Sequence, residues 1–236
     1  MSTLLLRLAA PLQSWGLDNK FERRMTMREP TKSGVIGMLA AALGRRREEG
    51  EEAVKDLAPL RFGVRIDQPG QLLHDFHTAQ GKTEKEKFVT HRYYLADAVF
   101  LVGLEGDDAF LQMLDEAINA PAFPLYLGRR SCPPAGRVSL GIRGKMLEDA
   151  LREEPWQASW WRQKRELRLA EQIRLTLVLD SDGTGAVRRR DLPLSFNQAH
   201  RKYAFRNIAD QADAVAISTA VIRADNMTEH DPFDSV

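Results

Sequence analysis

The chain has 236 residues, 43% of them hydrophobic and 28% charged, enough to bury a full core, and it has no apolar run near the roughly 18 residues of a membrane helix. A single cysteine, Cys132, excludes an intramolecular disulfide and a cysteine-based metal cluster, which points to a reducing, cytoplasmic setting. The formal charge of +1 is uneven: from residue 209 onward six acids face Arg223 alone, so the preceding residues carry +6.

Residues 3–9, TLLLRLA, read as a core strand stopped by Pro11, with a turn at residues 13–16. Arg7 inside the apolar stretch and the lack of a small-residue cleavage site argue against a secretory signal. After a polar loop carrying Arg23, Arg24 and Arg28, residues 30–44, PTKSGVIGMLAAALG, predict a buried helix capped by Thr31 or Ser33 and closed at Gly44. Its N-terminus, with Lys32, Ser33 and Gly34, is either an ordinary cap or an anion-facing one. Residues 45–55 form a charged run expected on the surface.

The alternation LRFGVRID at residues 60–67 predicts a second strand. Strand-like runs at 71–78 and 87–95 flank a polar loop with Gly81, Lys82 and Lys85, which suggests a protruding hairpin. A buried-type strand at 97–104 and a helix at 107–119 capped by Asp107 or Asp108 follow. A strand near 123–127 would complete a βαββαβ, ferredoxin-like unit. Beyond it lie a short helix at 146–152, a helical, partly exposed segment in which Trp156, Trp160 and Trp161 cluster, an alternating strand at 171–180 paired with 186–192, and further strands at 202–208 and 214–217. The fold expected is α+β: residues 1–145 as the ferredoxin-like domain with its hairpin at about 71–95, and 146–236 as a smaller β-rich part with an acidic tail from about 209.

Residues 25–32 lack both glycines of a phosphate-wrapping P-loop, so Thr31-Lys32-Ser33 does not signal an ATPase. His74 and His77 fall on opposite faces of a strand without a third ligand, so no metal or other cofactor is expected. Metal-free RNA cleavage needs a base, an acid and a cation, which His77, His91, Lys87, Tyr93 and Tyr94 could supply. The preferred reading of the same hairpin side chains is that they grip RNA, with rings stacking on bases and cations meeting phosphates.

Four stretches in order, LRLAAPLQSWG at 6–16, PTKSGVIGMLAAALG at 30–44, HDFHTA at 74–79 with THRYYLADAVFLVGL at 90–104, and PLYLGRRSCPPA at 124–135, resemble the CasD family. These are the subunits of the type I-E CRISPR Cascade surveillance complex that hold the 5′ end of the guide RNA. The resemblance spans residues 4 to 208 and omits the acidic tail. It implies an RNA-recognition-like ferredoxin fold with a hairpin thumb over the guide RNA, no catalytic residues, and neighbouring backbone and large subunits as partners. Target DNA would be met through the assembled complex. RNA contacts are then expected from Gln13 and Trp15, from Lys32, Ser33 and Gly34, and from Arg129, Arg130 and Ser131, gathered at one sheet edge. The hairpin would add His77, Lys82, Lys85, Lys87, His91, Arg92 and Tyr93. The alternative is a metal-independent endoribonuclease that processes CRISPR repeat RNA.

Overall fold

The computed structural model describes residues 1–16, 22–80, 87–183 and 186–218. Its elements in chain order are β1 (Ser2–Gln13), β2 (Arg23–Arg24), α1 (Lys32–Ala42), β3 (Arg61–Gln68), β4 (Gln71–Gln80), β5 (Lys87–Gly106) and α2 (Asp108–Asn119). Then come β6 (Ser139–Arg143), α3 (Leu147–Glu153), α4 (Trp160–Leu169), β7 (Gln172–Asp180), β8 (Val187–Ser195) and β9 (Lys202–Ser218). The main sheet runs β6-β1-β5-β3-β7-β9-β8 with every neighbour antiparallel. The chain is thus mixed α/β around one large antiparallel sheet. Because β7 pairs with β3, the β-rich C-terminal part continues that sheet.

Side-chain alternation places one core on each face of the sheet. Leu4, Leu6 and Leu8 of β1 and Phe100, Val102 and Leu104 of β5 pack with α1 and α2, whereas Leu5 and Leu101 point to the other face with α3 and β7. Arg65 and Asp67 on that second face are fully buried and doubly hydrogen-bonded to each other at 2.7 and 2.8 Å. Arg65 also donates to the carbonyls of Leu151, Glu154 and Pro155, supplying the acceptors at the end of α3 with the donor they lack.

Four expectations are corrected. The strand at 171–180 does not pair with 186–192: β7 and β8 both pair with β9, which lies between them, so the two form no hairpin. Residues 123–127 form no strand, and the strand that follows α2 is β6, because Pro121 and Pro124 bring no amide hydrogen and the segment instead bonds back to α1 and the end of β1. There Ala122 and Phe123 donate to Ala42 and Ala41, and Ser14 donates to Leu127. The runs at 87–95 and 97–104 are one 20-residue strand, with Asp97 at φ 55° absorbing the break. The tryptophans do not cluster: Trp156 is buried and donates to the Asp67 carbonyl, while Trp160 and Trp161 are exposed on α4. Among the described residues no helix is long and apolar enough to cross a membrane.

Candidate nucleic-acid interface

α1 forms where the sequence predicts it, with Thr31 Oγ1 accepting from the Gly34 amide at 3.2 Å and Gly44 beyond its end at φ 76°. A Cβ on Gly34 would lie 2.9 Å from the Trp15 ring, so the absence of a side chain lets the indole pack under the first turn. Trp15 Nε1 donates to Gln13 Oε1, and Gln13 Nε2 donates to the carbonyls of Leu8 and Ala98. Both residues are fully buried. Gln13 and Trp15 therefore build the floor under α1 rather than presenting groups to a ligand.

Lys32 is also turned inward. Its backbone amide donates to Asp191 Oδ2 at 2.9 Å, and its ammonium lies 3.1 Å from Asp180 Oδ2. Arg206 closes the network, with Nε and Nη2 on Asp191 at 2.6 and 2.9 Å and Nη1 on Asp180 at 2.5 Å. Burial pulls the Lys32 pKa down against the pull of Asp180, whereas the two carboxylates raise that of Arg206 despite its burial. The cation expected to face RNA at this helix end instead ties α1 to β7 and β8.

Ser33, Gly34 and Arg130 do come together, along a groove of about 920 Å³. Its walls come chiefly from residues 31–41 along α1, residues 45–48, the loop 123–133 and residues 189–203, together with Gly16, Met27 and Ala53. Arg45, Arg46, Arg47, Arg130, Arg189, Arg190 and Arg201 line it against two acids, Glu48 and Asp191. Arg45 is held by Asp56 and Arg189 by Glu29, while Arg46, Arg47, Arg130 and Arg201 are exposed. Phe123, Tyr126, Phe196 and Tyr203 add rings to the same walls, and Arg47 Nη2 donates to the Tyr126 hydroxyl at 3.2 Å. Arginines interleaved with aromatic faces are the chemistry of single-stranded nucleic acid binding. Arg45–Arg47, which the sequence presents as a surface charge run, is the part least visible beforehand.

The loop bearing Arg129–Ser131 is fixed by Gly128, at φ 83°, where a Cβ would fall 1.6 Å from the Ser14 carbonyl oxygen. Gly128→Ala is expected to lower the urea midpoint by more than about 1 kcal/mol equivalent, since no L side chain fits there without moving β1's end. An unchanged midpoint would remove that constraint. Arg129 stacks over Tyr94 at 4.6 Å and donates to the Arg24 carbonyl at 2.7 Å, leaving Nη1 buried without a partner among the described residues. Arg92 pairs in register with Arg24 of β2, and its Nε is likewise buried and unpartnered among those residues. Two unfilled cationic donors thus flank one short strand. Ser131 is exposed beside Cys132, whose thiol pKa burial pushes up.

β4 and the first half of β5 form a hairpin that overlaps the β1-paired stretch of β5 only at Leu95 and Ala96, and β4 is exposed almost throughout. On one face His74 stacks on Tyr93 and His91, with centroids 4.6 and 5.0 Å away, and His74 Nε2 lies 2.9 Å from His91 Nδ1. Lys87 shares that face by alternation, whereas His77, hydrogen-bonded to Asp75 at 2.9 Å, lies with Arg92 and Tyr94 on the other. The acid and base candidates weighed for cleavage are therefore divided between two faces. Lys82 and Lys85 lie outside the described residues. No group of three or more His, Cys, Asp or Glu among the described residues is placed to hold a metal.

Sheet and groove define a mixed α/β protein with a cationic, aromatic-lined cleft beside its first helix. The model of the family described as CRISPR-associated protein (Cas_Cas5) matches residues 3–208, and the chain belongs to that family. It is 35% identical over 158 residues to the CRISPR system Cascade subunit CasD of Escherichia coli (strain K12), covering 59% of this chain and 70% of that one. A solved chain described as a CRISPR RNA-guided surveillance complex is 33% identical and aligns over 91% of each chain with a TM-score of 0.73. A crystal structure of a Cas protein, 39% identical, covers 89% of this chain and 94% of its own with a TM-score of 0.67.

Proposed function

We propose that the chain is a non-catalytic RNA-binding subunit of a type I-E Cascade complex, capping the 5′ handle of the guide RNA and contacting backbone and large subunits. The observation that carries this reading is the groove, in which arginines and rings from three separate stretches, residues 45–47, 123–130 and 189–203, converge beside α1. The exposed guanidinium groups of Arg46, Arg47, Arg130 and Arg201 support it, because each is open to a phosphate. The strand order β6-β1-β5-β3, with β1-α1-β3 and β5-α2-β6 each spanning one intervening antiparallel strand, supports the ferredoxin-like reading of the first half. In the same reading the β4–β5 hairpin is the thumb, and its His74–His91–Tyr93 stack supplies ring faces for bases where handle becomes spacer.

Arginine contacts to phosphate fix position and make affinity salt-dependent, while bases splayed onto rings carry the sequence preference. Replacing Arg129 and Arg130 together by alanine is expected to weaken handle capture and to flatten the slope of affinity against salt by about 1 to 2 phosphate contacts. Binding that is unchanged across the titration would exclude this loop from the site. Cleavage of repeat RNA by the isolated chain in EDTA would replace the reading with an endoribonuclease.

A further inference from the structure

α1 (Lys32–Ala42) holds a glycine at its midpoint, Gly37, that the fold does not require. Glycine inside a helix weakens the folding equilibrium about two- to fivefold relative to alanine, because its backbone has more freedom to lose. Gly34, one turn earlier, has a structural reason, since its missing Cβ leaves room for the Trp15 ring. Gly63 and Gly103 in the sheet have one too: a Cβ on either would come within 2.6 Å of a leucine side chain. Gly37 has none among the described residues. A Cβ built on it would meet only the Phe196 ring, at 3.6 and 3.7 Å, which is ordinary contact. Its backbone is that of the helix around it, outside the left-handed region that favours glycine.

What Gly37 faces is the groove. It is half-buried there, and Ala40 and Ala41, one turn on, share its wall. With Met27 and Phe196 they make part of the lining apolar, whereas the exposed guanidinium groups of Arg46, Arg47, Arg130 and Arg201 belong to the other stretches. Phosphates are drawn to guanidinium groups, and a bare apolar surface beside a ring suits the flat face of an unpaired base. Lack of a side chain is what lets helix backbone come close to a ligand.

The geometry points to Gly37 as a contact residue for one unpaired base of the bound RNA, which lies flat against the backbone of α1 with Phe196 at its side. A methyl group at this position would occupy the space that the base uses. The inference rests on the proposed RNA-binding function of the groove and assigns it one base-contacting residue.

Gly37→Ala separates ligand from fold in the full chain. Its melting temperature is expected to rise by about 1–4 °C, because the helix gains propensity and the methyl meets no clash. Handle RNA should bind about tenfold more weakly, within the range of one base stacked on a protein surface. The slope of affinity against salt should stay unchanged, because no phosphate contact is lost. An abasic site placed at each handle nucleotide in turn identifies the base: at one position the wild-type chain should lose about tenfold and Gly37→Ala should lose nothing further. A lower melting temperature would mean that the fold itself needs the glycine and overturns the proposal. Equal binding by the two chains overturns it as well, as does a reduced salt slope or a loss that no abasic position removes. A wild-type chain that fails to bind handle RNA at all removes the function on which the inference rests, a result distinct from each of these.

Discussion

Asp191→Ala is expected to be among the most damaging single substitutions, costing about 3–5 kcal/mol. The carboxylate accepts from the Lys32 amide and from two nitrogens of Arg206, all buried. Its removal leaves two cations sharing Asp180 and opens the first turn of α1, while Arg206 stays packed over the Phe62 ring at 5.1 Å. An uncompensated charge at this depth costs far more than a lost surface pair. Asp191→Asn, which keeps an acceptor, is expected to fall between the two. The pH dependence has a defined sign. Because burial lowers the folded-state pKa of Lys32, the unfolded chain holds that proton more tightly, and stability rises with pH as Lys32 loses its charge. The defect of Asp191→Ala should therefore shrink on the alkaline side. Urea unfolding at several pH values measures both effects, and a change below about 1 kcal/mol would show that the network is not coupled to α1.

The second large effect is on binding. Alanine at Arg46, Arg47 and Arg201 together is expected to weaken handle RNA by about 100-fold at low salt and to reduce the salt slope by about 3. The three lie on two walls of the groove, are exposed, and come from stretches some 150 residues apart, so they act together only if the groove holds the ligand. Lys164, Arg165 and Arg168 on α4 provide the matched control, since their removal changes net charge equally. Little change is expected there. If both triple variants lose affinity alike, the effect is bulk charge and the groove carries no special role.

Local chemistry made the elements legible. Thr31 and Gly44 bracket α1, Asp107 caps α2 by accepting from Ala109 and Phe110, and the alternation of residues 171–180 yields β7. β6 escaped notice because SLGIR is short and contains a glycine, while 123–127 looked more apolar. What no local pattern could reveal is pairing at long range. Lys32 reads as an exposed cation until Asp180 and Asp191, 148 and 159 residues later, are brought against it. Arg45–Arg47 reads as a solvated run until residues 123–133 and 189–203 wall it in. Conversely, Gln13 and Trp15, polar or amphipathic at the end of a strand, satisfy each other in the interior. The loop at Arg130 and the groove edge at Ser33 and Gly34 were visible because glycine and basic residues concentrate there.

The groove is tested most directly by photocrosslinking guide RNA within the assembled complex and mapping the attached peptides. Handle nucleotides are expected on peptides containing Arg46–Arg47, Arg129–Ser131 and Arg201–Tyr203, with the handle–spacer junction on β4 and β5. Crosslinks confined to α4 and the outer strands β8 and β9, or no crosslink to this chain at all, would contradict the account.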